Sequence, residues 1–270
     1  MKYQRQIDML QYIINRRKVT NSDLLKHFNI SKATLNRDLR ELEKTGNIEK
    51  VYGGALSKVD VSDFQMLIKD KEQLHIDAKI GIAKIACSLI QPVDTIIIDS
   101  GSTMYYFAKE LLKLQKLTDL TVVTNDLKVA YTLCTHPNIS IIITGGIKHS
   151  DGYDLYCDQI PEMVRSLHIS KYFVATSAFD LEVGITHTNY KDVQIKKTFM
   201  SYADEVLLCA DSSKEGLLKR FRIGEVKSVN RLITDDGINT DRLQKYRELG
   251  IDVLLAKNNS ADSRPIDAQE

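Results

Sequence analysis

The first 46 residues place apolar side chains at the spacing of amphipathic helices. Asn21 and Ser22 stand where a second helix would begin and Ser31 where a third would, and these residue types cap helix N-termini. Gly46 stands where a helix commonly ends. The apolar sets that predict the three helices are Ile7, Leu10 and Ile14, then Leu24, Leu25 and Phe28, then Leu35, Leu39 and Leu42.

A short strand is predicted after the third helix. Residues 47–52 have the composition of a strand and end at Gly53-Gly54. We expect this strand to pair with Lys18–Thr20 and so form a wing. The wing would bring Lys50 and Tyr52 close to the phosphate backbone of a bound nucleic acid.

The polar face of the third predicted helix carries residues that can read DNA bases. Arg37 and Arg40 lie opposite the leucines with Asn36 beside them, and the major groove accommodates a helix whose Arg and Asn bond guanine and adenine. A single basic helix face is more often a solvated surface, but three helices, their caps and a wing occur together here. We therefore predict a winged helix-turn-helix domain over residues 1–58 that binds duplex DNA. Its candidate DNA contacts are Ser31, Lys32, Ala33, Thr34, Asn36, Arg37, Arg40, Lys44, Lys50 and Tyr52.

The charge distribution agrees with this interpretation. Residues 1–58 contain 12 Lys and Arg against 6 Asp and Glu, a formal charge of +6. The rest of the chain contains 25 against 30, a formal charge of −5. A basic segment on a mildly acidic remainder indicates a polyanionic partner, although charge alone fits DNA, RNA or a membrane surface.

The remainder of the chain changes to short apolar runs separated by helix-like segments. Runs such as 95–98 and 206–208 are continuous, and this alternation is typical of a mainly parallel sheet covered on both faces. We therefore predict an α/β domain over residues 74–256. A polar linker, 59–73, would precede it, and a polar tail, 257–270, is expected to be disordered.

The predicted strands end in small polar residues, where ligands bind in open α/β sheets. A glycine turn with hydroxyls at a helix start presents backbone N–H groups to a phosphate. Any one such turn also suits an ordinary strand-to-helix connection, but the presence of several polar strand ends favours a ligand cleft. In that cleft Lys214 would add a cation, and Asp99 or Asp211 would accept from sugar hydroxyls. The candidate effector residues are Asp99, Ser100, Gly101, Ser102, Thr103, Thr124, Asn125, Gly145, Gly146, Asp211 and Lys214.

An enzyme is the main alternative function. Asp99, Asp180, Asp192 or Asp211 would be available as a base for isomerising a sugar phosphate, but so would any carboxylate near a strand end. The sequence contains no HExxH pair, evident metal set or nucleophile elbow. We therefore predict no catalytic residue, no metal and no cofactor. A purely architectural DNA-binding protein, the other alternative, would not need the α/β domain.

The spacing of the cysteines indicates in which cellular compartment the protein is found. Cys87, Cys134, Cys157 and Cys209 are scattered singly, which is neither a metal-ligand spacing nor a dense disulfide framework. No apolar stretch reaches the roughly 18 residues that would span a membrane, and the N-terminus lacks the apolar core of a signal peptide. We expect a cytoplasmic protein with reduced thiols and no membrane partner.

The segment 22–56 resembles the N-terminal domain of the DeoR family of bacterial transcription regulators. The family usually has two consecutive arginines before the aspartate, and the first of these is Asn36 here, which bears on the operator sequence. The residues that carry the resemblance are Ser31, Thr34, Arg37-Asp38-Leu39, Leu42, Gly46 and Gly53-Gly54.

The α/β segment resembles the sensor domain of the same family, which has a ribose-5-phosphate isomerase-like fold. Two stretches depart from the family pattern: 176–180 lacks its glycine, and 147–157 holds Tyr153, Tyr156 and Cys157 where the family tends to have a glycine. The resemblance implies a repressor of a carbohydrate-utilisation operon whose DNA affinity changes when a small phosphorylated sugar binds. The matching elements are Asp99–Thr103, Thr124-Asn125, Gly145-Gly146 and Asp211–Lys214.

One recognition helix reads too few base pairs for useful specificity. We therefore expect a homo-oligomer, a dimer or a tetramer, in which two recognition helices read two half-sites. The subunits would meet through the α/β domain or through the helix predicted within 74–90.

Overall fold

The computed structural model describes residues 2–44, 46–58, 72–148 and 152–257. The chain divides into two compact units, residues 1–74 and 75–270. Most of the predicted linker, 59–71, and nearly all of the predicted tail, 258–270, lie outside the described residues.

Residues 2–44 and 46–58 of the first unit form three helices and a three-stranded antiparallel sheet. A capping box starts α2: the Thr20 hydroxyl accepts from the Asp23 N–H at 3.1 Å, and the Asp23 carboxylate accepts from the Thr20 N–H at 3.2 Å. The prediction that Asn21 or Ser22 caps this helix is therefore wrong by one or two residues. The elements are α1 (Lys2–Arg16), β1 (Lys18–Thr20), α2 (Asn21–Phe28), α3 (Lys32–Lys44), β2 (Ile48–Val51) and β3 (Gly54–Ser57).

Helix α3 is held against α1 by apolar packing and by one buried carboxylate. Leu35, Leu39 and Leu42 are buried, as their spacing predicts. Asp38 is also buried and accepts from Arg5 Nε at 2.7 Å. Gln6 Nε2 donates to the same carboxylate at 3.1 Å. The polar partner of α3 therefore comes from α1, more than 30 residues earlier in the chain.

The wing differs in its pairing from the prediction. β2 and β3 form a hairpin, and β1 pairs with β3 rather than with β2. Gly53, whose φ is +82°, completes the two-residue turn with Tyr52, so the chain returns as a second strand where we expected the first strand to end.

The second unit contains a seven-stranded parallel sheet with the order β15-β14-β12-β9-β4-β5-β6. Its strands are β4 (Thr95–Ile98), β5 (Leu120–Thr124), β6 (Ile139–Ile143), β9 (Ile169–Val174), β12 (Ala203–Cys209), β14 (Arg231–Asp235) and β15 (Asp252–Ala256). Its helices are α4 (Ile76–Ser88), α5 (Ser102–Leu111), α6 (Leu127–Leu133), α7 (Ile160–Arg165), α8 (Tyr190–Tyr202) and α9 (Thr240–Glu248).

Both faces of the sheet are covered. Ile96 and Ile98 of β4 point into an apolar cluster that includes residues from α4, α5 and α6. Ile97, between them, points into a second cluster with residues from α7, α8 and α9. This two-sided burial explains why the strands are continuous apolar runs, and the predicted α/β class with a mainly parallel sheet is confirmed.

Five short strands outside the main sheet were not predicted. A hairpin joins β7 (Ile147–Lys148) to β8 (Leu155–Tyr156), and a small antiparallel sheet has the order β10-β11-β13. They have two to four residues each, too few for a periodic pattern to be read from the sequence. The strands of the small sheet are β10 (Ala178–Asp180), β11 (Gly184–His187) and β13 (Phe221–Gly224).

Candidate DNA-binding surface and effector site

The outer face of α3 is solvent-exposed as predicted. Ser31 caps this helix, because its hydroxyl accepts from the Thr34 N–H at 3.2 Å. Thr34 is half-buried by this contact, whereas Lys44 extends outward and pairs with Glu41 at 3.0 Å. The remaining candidates on the helix are all exposed: Lys32, Ala33, Asn36, Arg37 and Arg40.

The wing contacts the recognition helix directly. The Lys50 N–H donates to Glu43 Oε1 at 2.8 Å, and Lys50 Nζ lies 3.5 Å from Asn36 Oδ1. Tyr52 is fully exposed at the tip of the β2–β3 hairpin. The wing and the helix therefore present their polar side chains on one connected surface.

In the second unit, the sheet has its topological switch point between β4 and β9. The chain runs from β4 towards β6 on one side and from β9 towards β15 on the other, and at such a point open α/β sheets form a ligand crevice outside the carboxyl ends of the strands. Asp99 follows β4, and its Oδ2 accepts from the Ala175 N–H, which follows β9, at 2.8 Å. Gly101, with φ +119°, is the N-cap residue of α5 and has no side chain of its own to cap the helix.

The end of β5 borders the same crevice. The Gly101 N–H donates to Asp126 Oδ2 at 3.2 Å, while the other carboxylate oxygen of Asp126 caps α6. Burial raises the pKa of Asp126 to about 6. Within the described ranges, the Thr103 hydroxyl and the Asn125 amide oxygen are buried without a hydrogen-bond partner. These polar atoms make the crevice suited to a hydrogen-bonding ligand.

Gly145 and Gly146 follow β6, next to β5 in the sheet. A Cβ atom on Gly146 would lie 2.2 Å from the carbonyl oxygen of Tyr156, so the close approach of the β7–β8 hairpin requires a glycine at this position. Close backbone packing therefore accounts for Gly146 without a ligand, and a role in effector binding stays a prediction for both glycines.

Asp211 and Lys214 lie at the carboxyl end of β12. Residues 212–214 form a three-residue 3₁₀ turn. Lys214 Nζ lies 3.5 Å from Asp211 Oδ2. Burial acts to raise the pKa of Asp211, but Lys214, a hydrogen bond from Ser213 and the charges of His75 and Lys79 together hold it below its ordinary value. Cationic side chains therefore act on this carboxylate.

The buried ion-pair partner of Asp99 was not predicted from the sequence. Lys196 of α8 is almost fully buried, and its Nζ lies 2.5 Å from Asp99 Oδ2. One turn earlier on the helix, burial raises the pKa of Asp192 to about 6. Asp192 Oδ1 accepts from the Tyr156 hydroxyl at 2.6 Å, and Oδ2 lies 3.3 Å from His187 Nδ1. One signal in the sequence could have revealed these contacts. Asp192 and Lys196 are charged, yet they stand at positions of a predicted helix whose spacing faces the protein interior.

Two family models match the chain. Residues 5–60 match the DeoR-like helix-turn-helix domain, and residues 74–236 match the DeoR C terminal sensor domain. The chain belongs to the DeoR family of transcription regulators. The resemblance inferred from the sequence is therefore confirmed, and the enzyme and architectural alternatives give way to a DNA-binding regulator.

Full-length relatives support this membership. A putative aga operon transcriptional repressor of Escherichia coli O157:H7 is 29% identical over 93% of each chain. The regulator GolR of Listeria innocua is 30% identical over 94% of this chain and 99% of its own. An L-fucose operon activator of Haemophilus influenzae is 28% identical over 89% of this DeoR-family chain and 94% of its own.

Solved structures with similar folds include ribose 5-phosphate isomerase A from Neisseria gonorrhoeae. That similarity has a TM-score of 0.39 and 17% identity and covers 53% of each chain, so nothing about the activity of this DeoR-family protein rests on it.

Among the described residues, no group of three or more His, Cys, Asp and Glu side chains could hold a metal ion. The helices of this described part include none that is both long and apolar enough to cross a bilayer.

Proposed function

We propose that this DeoR-family protein represses a carbohydrate-utilisation operon and that a small phosphorylated sugar, bound in the crevice at the switch point of the sheet, changes its affinity for DNA. The observation that carries the effector part is the arrangement at this switch point. The start of α5, preceded by Gly101, adjoins two buried polar atoms, the Thr103 hydroxyl oxygen and the Asn125 amide oxygen, that lack hydrogen-bond partners among the described residues.

The chemistry of the crevice supports a phosphate ester as the ligand. Backbone N–H groups at the start of a helix favour an anion. The Gly101 N–H already bonds Asp126, but Gly101 has no side chain to occupy the N–H groups that follow it in α5. The Thr103 hydroxyl can donate to a phosphate oxygen, and the Asn125 amide oxygen can accept from a sugar hydroxyl. Lys214, at the end of β12, supplies a cation that Asp211 holds in place.

The DNA part of the proposal rests on the exposed face of α3 and the wing. The predicted contacts form one surface, with Arg37 and Arg40 on the helix and Lys50 and Tyr52 on the wing. Repression is proposed because a relative aligned over nearly its whole length is named a repressor. A carbohydrate operon is proposed because another relative is named for L-fucose.

A homo-oligomer is part of the proposal, and the edge of the parallel sheet is its best-supported interface. The exposed positions of α4 are polar, at Asp77, Lys84 and Ser88, which disfavours this helix as the contact. β6 is one of the two edge strands of the sheet, and large apolar side chains near it are exposed, including Tyr131 and Ile147. An exposed apolar edge is a ready site for pairing with a second copy.

Calorimetry of the full chain against a panel of pentose and hexose phosphates tests the effector proposal. We expect one or more sugar phosphates to bind saturably. Lys214→Ala should weaken that binding at least about tenfold, since it removes a charge-assisted contact. Lys227→Ala, an exposed lysine on a different turn, is the matched control and should change nothing. Background heats across the whole panel would overturn the proposal.

A further inference from the structure

The turn that carries Lys214 is anchored at its first residue by the parallel sheet. Residues 212–214 form a single 3₁₀ turn, and the hydrogen bonds of such a turn have poorer geometry than those of an α-helix. Contacts from outside therefore decide where the turn lies. Asp235, at the end of β14, accepts from the Ser212 N–H at 2.6 Å and from the Ser212 hydroxyl at 2.8 Å. Ser212 is thereby fixed to the sheet.

Helix α9 anchors the other end of the turn. Arg242 Nε donates to Glu215 Oε1 at 2.6 Å, and Tyr246, one turn later on the helix, donates its hydroxyl to the same oxygen at 3.1 Å. Another nitrogen of the Arg242 guanidinium donates to the Asp180 carboxylate at the end of β10. Glu215 follows Lys214 directly in the chain, so Lys214 lies between two anchored residues.

Arg242 is itself held in a defined place. Asn239 caps α9, and its side chain accepts from the Arg242 N–H at 3.2 Å. The guanidinium is planar and rigid, and its bonds to two different carboxylates fix its orientation. An arginine in this position transmits the location of the helix to the acidic side chains that it bonds, and through Glu215 to the turn.

We propose that Arg242, acting through Glu215, is a positioning residue for effector binding by Lys214. The inference rests on the proposed function, because it assigns what holds the cation of that site in place. Lys214 Nζ also lies 3.5 Å from Asp211 Oδ2, which orients the end of the side chain, whereas the anchors of the turn fix its backbone. Binding groups act at full strength only when supporting contacts hold them within about 0.5 Å of the productive position. Releasing one anchor therefore weakens the contact of Lys214 with its ligand.

The test measures by calorimetry the affinity of the full chain for the tightest-binding sugar phosphate of the panel and for inorganic phosphate. Arg242→Met should weaken both about fivefold, because it leaves two like charges, Asp180 and Glu215, facing each other and releases the turn. In a chain that already carries Lys214→Ala, the same substitution should change either affinity less than about twofold, since no cation is left to position.

Arg231→Met is the matched control. Arg231 also bridges two carboxylates, with its Nε 2.8 Å from Glu205 Oε1 and 3.4 Å from Asp252 Oδ2. Its side chain is 31% exposed, close to the 26% of Arg242. It begins β14, whereas the turn bonds the residue at the other end of that strand. The control should leave both affinities unchanged, so a loss in the Arg242 variant alone reports on the turn and not on a missing ion pair in general.

Tyr246→Phe is a milder variant of the same anchor. It removes one hydrogen bond to Glu215 and keeps every charge and the buried ring in place. We expect it to weaken both probes about threefold, again only where Lys214 is present. Urea denaturation of the full chain establishes first that each variant is folded.

The outcomes separate this inference from the proposed function. If Arg242→Met binds both probes within about twofold of the unsubstituted chain while Lys214→Ala weakens them, the inference is overturned and the effector proposal stands. Additive losses in the double variant would show that Arg242 acts independently of Lys214 and would also overturn it. If Arg242→Met does not fold, Tyr246→Phe decides by the same criteria. If no sugar phosphate binds the unsubstituted chain, the proposed function fails and the inference fails with it.

Discussion

The two units of this DeoR-family protein use polar residues in opposite ways. In residues 1–74 the candidate functional residues lie on the surface of α3 and the wing, and the buried carboxylate, Asp38, holds two helices together. In the second unit, candidate effector residues such as Asp99 and Asn125 are buried at the strand ends. A surface that binds a rigid polyanion must project outward, whereas a site for a small ligand must remove it from water.

The two buried aspartates show what this difference means for stability. Arg5, the partner of Asp38, keeps 24% of its side-chain surface exposed, so water can solvate it if the carboxylate is removed. Lys196, the partner of Asp99, keeps only 2%. We therefore expect a change in the second pair to cost more than a change in the first.

The largest effect is expected for Lys196→Met. Removing one partner of a fully buried ion pair leaves an uncompensated charge, so the free energy of unfolding should fall by about 3–5 kcal/mol. Urea denaturation of the full chain, followed by circular dichroism, measures this loss. The reasoning is confirmed if Lys196→Met combined with Asp99→Asn recovers most of it, because asparagine is neutral and still accepts from the Ala175 N–H.

Asp38→Ala should have a smaller effect on the same measurement. It removes hydrogen bonds from Arg5 and Gln6, and a hydrogen bond to a charged group contributes about 1.5–3 kcal/mol. Glu41→Ala, on the same helix, is the control: its pair with Lys44 is exposed, so we expect a change of no more than about 0.5 kcal/mol. Equal losses for the two variants would show that the Asp38 contact is only a surface ion pair.

The sequence predicted the helices of the first unit well, because the 3.6-residue period of a helix determines which side chains are buried and which are exposed. The spacing of Leu35, Leu39 and Leu42 fixed which face of α3 is buried, and that also fixed the outward position of Arg37 and Arg40. The pairing of β1 with β3 could not be read in the same way. Strand pairing depends on where the hairpin turns. Gly53-Gly54 suggests the end of a strand in the sequence, whereas in the structure the chain reverses there and continues as β3.

In the second unit, the sequence predicted the positions of the strand ends but not their partners. Asp99, Gly101 and Asn125 follow β4 and β5 as expected. Lys196 reaches Asp99 across 97 residues of chain, and no local pattern encodes a contact of that separation. The contacts of Arg242 were missed for the same reason.

Arg37→Ala tests the outward face of α3. Duplexes selected by the full chain from a random library supply the specific site. On that site the variant should lose about 1–3 kcal/mol of binding free energy and should tolerate a change of the base pair that Arg37 contacts. Arg247→Ala removes an exposed arginine of α9 and should bind the site normally. Unchanged affinity of the Arg37 variant in a gel-shift titration would contradict the assignment of α3 as the recognition helix.

Lys50→Ala should have the smallest effect on DNA affinity. The informative result is whether the variant changes its salt dependence or its base preference. If Lys50 contacts a phosphate, the variant binds specific and random duplexes more weakly by the same factor, and the slope of log affinity against log salt concentration becomes shallower by about one. However, Lys50 Nζ also lies 3.5 Å from Asn36 Oδ1 on the recognition helix. If that contact orients Asn36 for base reading, the variant would change its base preference as well. Titrating both duplexes over a range of salt concentrations separates these two roles. A changed base preference with an unchanged slope of log affinity against log salt concentration would show that the wing acts through α3 and not on the DNA backbone.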